Sequence, residues 1–125
     1  RFWMNQQVLK NRTKKFALDT IKMIHTLPKH PTANTIGHQL LRSASSVGAN
    51  YRAACRGRSK AEFIAKLGIV IEEADESLYW MELLSETQLG DQSTLEPLMK
   101  EANELVAIMT ASMKTARQNL QGTKR

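Results

Sequence analysis

Three breaks interrupt the pattern of apolar and polar positions: Leu27-Pro28-Lys29-His30-Pro31, Arg56-Gly57-Arg58-Ser59 and Leu89-Gly90-Asp91-Gln92-Ser93. Each gathers residues that end helices or make turns. Between the breaks, apolar residues recur at steps of three and four, with no sustained strand alternation. The spacing predicts four helices, at about 11–27, 34–56, 59–87 and 94–119. In the first, Ala17, Ile21 and Ile24 form the expected stripe, widened by Phe16, Thr20 and Leu27. In the second, Ile36, Leu40, Ala44, Val47, Tyr51 and Ala54 share a face. The third follows Ser59, an N-cap whose capping box is completed by Glu62. Phe63, Leu67, Val70, Ala74, Leu78, Met81 and Leu84 line it, and Ile64 and Ile71 add a second seam. The fourth carries a near-heptad seam through Leu95, Leu98, Ala102, Leu105, Met109, Ser112, Ala116 and Leu120. Pro97 is expected in its first turn, where a missing N–H does little harm.

Short connections favour antiparallel neighbours. The chain therefore reads as one all-α domain over residues 1–125, an antiparallel up-down-up-down four-helix bundle. Apolar positions outside the seams, among them Ile64, Ile71, Trp80, Leu83, Val106 and Ile108, exceed what a monomeric bundle buries, which points to self-association. The small residues from Ser43 to Ala49 are expected to let two helices approach closely. The tail Gln121-Gly122-Thr123-Lys124-Arg125 is expected to fray.

Composition narrows the class. The chain has 125 residues, 42% hydrophobic, which suits one domain with a real core. A single cysteine excludes an intrachain disulfide framework and a multi-thiolate zinc site. No apolar run has the length of a membrane span and no signal-peptide pattern is present, so the cytoplasm is the expected compartment. An opening Arg in place of Met suggests a trimmed or disordered start. The net charge is +6 and unevenly spread. Up to residue 60, Asp19 is the only acid; from 61 to 90, Lys66 is the only base. Such asymmetry suggests polyanion binding, pairing of unlike helices, or both.

Little of the sequence carries catalytic chemistry. His25, His30 and His38 lack the spacing of a metal pair and suit exposed or capping roles. Cys55 has basic neighbours, Arg52 and Arg56, but no nearby histidine base, and reads as a packed thiol. Glu72, Glu73, Asp75 and Glu76 are not followed by the histidines of a di-metal bundle and read as a solvated or salt-bridged face. No glycine-rich phosphate loop accompanies Ser43, Ser45, Ser46 and Gly48. Phe63, Tyr79 and Trp80 read as core or interface. The chain is expected to be no enzyme and to need no cofactor.

Two segments add what periodicity does not. One is Gln39-Leu40-Leu41-Arg42-Ser43-Ala44-Ser45-Ser46-Val47-Gly48-Ala49-Asn50-Tyr51-Arg52-Ala53-Ala54-Cys55-Arg56. The other runs from Ser59-Lys60-Ala61-Glu62-Phe63 through Glu72-Glu73-Ala74-Asp75-Glu76-Ser77-Leu78-Tyr79-Trp80. Together they resemble a bacterial four helix bundle protein family that includes proteins encoded in intervening sequences of 23S ribosomal RNA genes. The resemblance spans roughly residues 9–119. Accessory proteins of diversity-generating retroelements are more distant relatives. It implies a cytoplasmic bundle that assembles as a ring-like homopentamer, with no catalytic residues to carry over. The retroelement relatives bind nucleic acid and a reverse transcriptase. Two positions depart from the family pattern: Ile71, where an acid is frequent, and Gly57, where Ala is frequent and glycine is expected to loosen the loop.

An up-down-up-down bundle brings four segments to one end. They carry Lys10, Arg12, Lys14 and Lys15; Arg52, Arg56 and Arg58; Lys60 and Lys66; and Lys114, Arg117, Lys124 and Arg125. The other end receives Glu82, Glu86, Asp91 and Glu96. Helix dipoles favour bases at the C-termini of the second and fourth helices but oppose those at the N-terminal turns of the first and third. The expected function is therefore a non-catalytic, oligomeric accessory factor that binds the backbone of RNA or DNA. Arg52, Arg56 and Arg58 lead the site, and Lys14, Lys15, Lys114 and Arg117 widen it. The alternative is an assembly module whose basic end docks an acidic protein. Arg42 is expected to pair with Glu72, Glu73 or Glu76 across the second hairpin, and with Asp19 across the first.

Overall fold

The computed structural model describes the backbone of residues 2–123 and the side chains of residues 6–120. It contains four helices, α1 (Phe2–Ile24), α2 (Pro31–Cys55), α3 (Lys60–Glu86) and α4 (Gln92–Thr123), and no strand among the described residues. Helices consecutive in sequence pack together, most extensively α2 on α3, and α1 closes the ring against α4 along the least extensive seam.

α1 begins nine residues earlier than the spacing predicts, because nothing before Pro28 breaks a helix. Its buried face is Leu9, Thr13, Phe16, Thr20 and Met23, at steps of four and three. The expected Ala17–Ile21–Ile24 stripe lies beside it and is only half buried. Of the positions expected to widen that stripe, Phe16 and Thr20 are buried; Thr13, outside it, disguises the rest of the row. Thr13 is satisfied internally, its hydroxyl donating to the Leu9 carbonyl at 2.8 Å. Thr20 is fully buried and its Oγ1 has no hydrogen-bond partner.

α2 starts directly at Pro31, whose fixed φ and missing N–H suit a first helical position. His30 caps it, Nδ1 accepting from the Thr32 N–H at 3.1 Å. All six expected stripe residues of α2 are buried. Ser59 caps α3, accepting from the Glu62 N–H at 3.1 Å. The Glu62 carboxylate reaches one residue beyond the usual capping box, accepting from the Arg58 N–H at 3.0 Å. The Gly57 loop is tight, not loose: a Cβ there would lie 3.1 Å from the Ala54 carbonyl oxygen. α3 buries Ser77 where Leu78 is expected to lead, and Leu78 packs at the margin. In α4 the seam from Leu95 to Met109 is buried. α4 starts at Gln92, so Pro97 lies in the second turn, where its ring removes an interior hydrogen bond. The backbone of the tail is helical through Thr123, and Lys124 and Arg125 lie outside the described residues.

The small run of α2 serves two contacts. A Cβ at Gly48 would sit 3.3 Å from the Thr13 carbonyl oxygen of α1. On the other side, the buried Ser43 and Ser77 hydroxyls lie 2.9 Å apart, joining α2 to α3. Arg42 bridges the same helices at the surface, pairing with Glu73 at 3.1 Å and with Glu76. Trp80 Nε1 donates to the same Glu76 carboxylate at 2.9 Å. Glu72 takes no part: it lies one residue round α3 from Glu73 and is exposed. Asp19 does not reach Arg42 either. It faces the α4 side of α1, sharing a cleft with Pro97 and Leu98, and pairs with Lys15 one turn away at 2.5 Å. The α2-facing positions of α1 are Thr13, Lys14 and Ile24, about 100° or more round the helix.

Candidate nucleic-acid interface

Extension of α1 to Phe2 moves Lys10, Lys14 and Lys15 out of the first turn and into the body of the helix. They therefore do not oppose its dipole, which falls off within the first turn. Lys60 does stand at the first position of α3, with Glu62 in the same turn to offset it.

The bases divide into those already paired and those left free. Arg12 lies between α1 and α4 and donates through Nε and Nη2 to Glu101, at 3.0 and 2.5 Å, and to Glu104 at 3.2 Å. The Glu101 hydrogen bond holds its guanidinium above the ordinary pKa, with partial burial working against it. Lys15 is pulled the same way by its hydrogen bond to Asp19. Two bases of the expected site segments thus serve intramolecular pairs, and Lys15 is the weakest member of the expected site.

Arg52, Arg56 and Arg58 are all exposed. None forms an ion pair among the described residues. Arg52 lies in the last turn of α2, Arg56 caps that helix, and Arg58 follows in the loop. Lys114 and Arg117 are exposed one turn apart on α4, rimming a shallow depression of that helix.

Packing adds a convergence that the sequence does not single out. A groove of about 330 Å³ between α1 and α2 brings Lys10 and Lys14 of α1 together with Arg52 of α2. Asn11 and Ser45 line it, and Ala17, Gly48 and Ala49 form the small part of its wall. No acid lines it. Lys10 stands among the end charges but not among the expected site residues. Its signal is its one-turn spacing from Lys14, opposite the small stretch Ser45–Ala49.

Cys55 adjoins this region without being activated. Burial pushes its thiol above the ordinary range, outweighing the Tyr51 hydrogen bond and the nearby Lys10 charge, both of which lower it. Burial likewise raises the Tyr51 phenol well beyond its usual value. A neutral half-buried thiol is a poor nucleophile. Among the described residues, no group of three or more His, Cys, Asp or Glu side chains is placed to hold a metal ion. Among the described residues, no helix is long and apolar enough to cross a membrane.

Comparisons with known proteins agree on the fold. The model of the 23S rRNA-intervening sequence protein family matches residues 5–111. A crystal structure of a protein of unknown function from the S23 ribosomal protein family of Bacteroides thetaiotaomicron VPI-5482 superimposes with a TM-score of 0.80. The two chains are 31% identical, over 87% of this chain and 97% of the other. No curated protein matches the chain.

Proposed function

The chain belongs to the 23S rRNA-intervening sequence protein family, and from that premise we propose that it is a non-catalytic accessory factor that binds the backbone of RNA or DNA. The carrying observation is the convergence of Lys10, Lys14 and Arg52 at one acid-free groove, beside exposed Arg56 and Arg58. Lys114 and Arg117 extend the footprint. In this reading the bundle is antiparallel, up-down-up-down. Support comes from crossing heights: Gly37 lies against Ile24 and Leu27, whereas Gly48 lies against Thr13. Arg12 of α1 pairs with Glu101 of α4, and Met23 lies near Thr94. Assembly into a homopentamer in the cytoplasm completes the proposal, multiplying the basic end into a ring and raising avidity without new contacts.

Binding should tolerate sequence, because no groove-reading element accompanies the bases, and should weaken steeply with salt through counterion release. The test compares native protein with an Arg52/Arg56/Arg58→Ala triple variant of unchanged helicity and oligomeric state. Affinity for structured RNA and duplex DNA is measured from low to physiological salt. The logarithmic salt slope should flatten by about one for every phosphate that the variant leaves unneutralised. Equal affinities would remove these arginines from the site.

A second reading, an assembly module docking an acidic protein such as a reverse transcriptase, is favoured by one observation. Tyr79 is 53% exposed, with its ring edge-on to Trp80 at 5.3 Å, an aromatic pair suited to a protein contact. Absence of nucleic-acid binding at low salt would shift the proposal to it.

A further inference from the structure

We propose that the α1–α2 groove is a phosphate seat, in which Lys10, Lys14 and Arg52 hold one phosphate group of a nucleic-acid strand. The inference deepens the nucleic-acid reading and rests on it for the carrier of the phosphate. Its volume, about 330 Å³, lies at the lower end of small-ligand sites. That is ample for a phosphate and its sugar.

The charge balance sets this groove apart. Arg12 and Lys15 belong to the same stretch of α1, yet acids neutralise both. Lys10, Lys14 and Arg52 form no ion pair among the described residues, and they face one concavity from two helices. Lys10 and Lys14 are one turn apart, about 6 Å along the axis. Uncompensated cations in a cleft focus potential where an anion would sit. Arg52 contributes a forked donor, the arrangement that grips phosphate oxygens in pairs.

The rest of the lining suits the same ligand. Asn11 accepts from Gln7 at its Oδ1, at 3.2 Å, which leaves its amide N–H groups to donate. The floor stays open because its residues are small. At Gly48 even a methyl would crowd the Thr13 carbonyl oxygen at 3.3 Å, so the backbones of α1 and α2 approach closely beneath the cations. Among the described residues, no aromatic ring lines the groove. The described lining thus offers cations and N–H donors to a phosphate and no ring to a base.

Ala49 offers the test. It is exposed within the groove, and both Glu and Gln are good helix formers. Ala49→Glu places a carboxylate among the three cations, and Ala49→Gln controls for size. Inorganic pyrophosphate and a short single-stranded oligonucleotide, with and without a 5′-phosphate, serve as probes. Ala49→Glu should weaken both probes about tenfold or more, since its carboxylate pairs with the cations and repels the phosphate. Ala49→Gln should stay within about twofold, lacking that repulsion. Pyrophosphate should also shift the methyl NMR signals of Ala17 and Ala49. Dependence on the 5′-phosphate would assign the seat to a strand end, and its absence to an internal diester. Native affinity in Ala49→Glu, or unmoved methyl signals at saturation, overturns the seat. If Ala49→Glu still binds the oligonucleotide while an Arg56/Arg58→Ala variant does not, the seat fails and the nucleic-acid reading stands. If native protein binds no nucleic acid at low salt, both fail.

Discussion

Thr20 shows how one buried atom can work against the core that contains it. Its hydroxyl is fully desolvated and unpartnered, whereas the hydroxyl of Thr13 two turns earlier returns to its own helix. An unsatisfied buried polar group costs roughly 1–3 kcal/mol. Thr20→Val keeps the shape and removes the polar atom, so it should stabilise the protein by about 1 kcal/mol. Urea denaturation checks this, and a loss of stability would mean that the hydroxyl has a partner. Tyr51 and Cys55 carry a pH dependence of predictable sign. Burial raises the folded-state pKa of both above their unfolded values, because the neutral forms are the ones that fit. Their contribution is complete below the unfolded pKa values, about 8.5 for a thiol and 10 for a phenol. It is lost progressively as pH rises above each, where the unfolded chain ionises and the folded chain does not. Tyr51→Phe should therefore lose less stability than native protein between neutral pH and the alkaline range above about pH 10. Parallel slopes would exclude Tyr51 as the source.

At the scale of the helix, the C-terminal end of α3 is closed with an unexpected residue. The Gln88 N–H donates to the Ser85 carbonyl and the Leu89 N–H to the Leu84 carbonyl, each at 3.1 Å. These paired bonds require the residue after the C-cap to be left-handed, and Gln88 has φ 60°. A side chain there costs roughly 1–2 kcal/mol that glycine avoids. Gln88→Gly should raise stability by about 1 kcal/mol, part of the gain being offset by the greater freedom of unfolded glycine. Thermal melts of the two proteins check it, and a lower midpoint in the variant would contradict the assignment. The face of α1 belongs to this scale too. Apolarity centres the stripe on Ala17–Ile21–Ile24, whereas the buried row runs along its Phe16–Thr20 margin and takes in Thr13. A helix face is defined by angle, and Thr13 fits the core-facing row because the Leu9 carbonyl accepts its hydroxyl proton.

For the whole molecule, the partitioning of charge matters more than its sum. The net +6 describes the whole chain; the ion pairs of Arg12, Lys15 and Arg42 decide where that charge remains available. Among the described residues, unpaired bases remain along α1–α2, at the end of α2, and at Lys114 and Arg117 of α4. Half-exposed apolar residues, with Val8 at 54% and Leu18 at 49%, add surface suited to association. A homo-oligomer, five subunits in the proposed assembly, should elute as a multiple of the 14.1 kDa chain in gel filtration with light scattering. A monomer at all concentrations would refute that proposal.

Four helices, their breaks and the seams of α2 and α4 were determined by sequence alone, because period and turn chemistry act locally and every residue needed lies within a few turns. The Arg42 link to Glu73 and Glu76 was legible for a similar reason: a short hairpin fixes the height of facing residues. Rotation about each helix axis is not local. It decided that Asp19 faces α4, that Glu72 points outward, and that Leu9 and Thr13 are buried. The same rotation selected Lys10, Lys14 and Arg52 from many bases and set them across one groove. That juxtaposition joins residues some forty positions apart through the close approach at Gly48, which only the packed bundle decides.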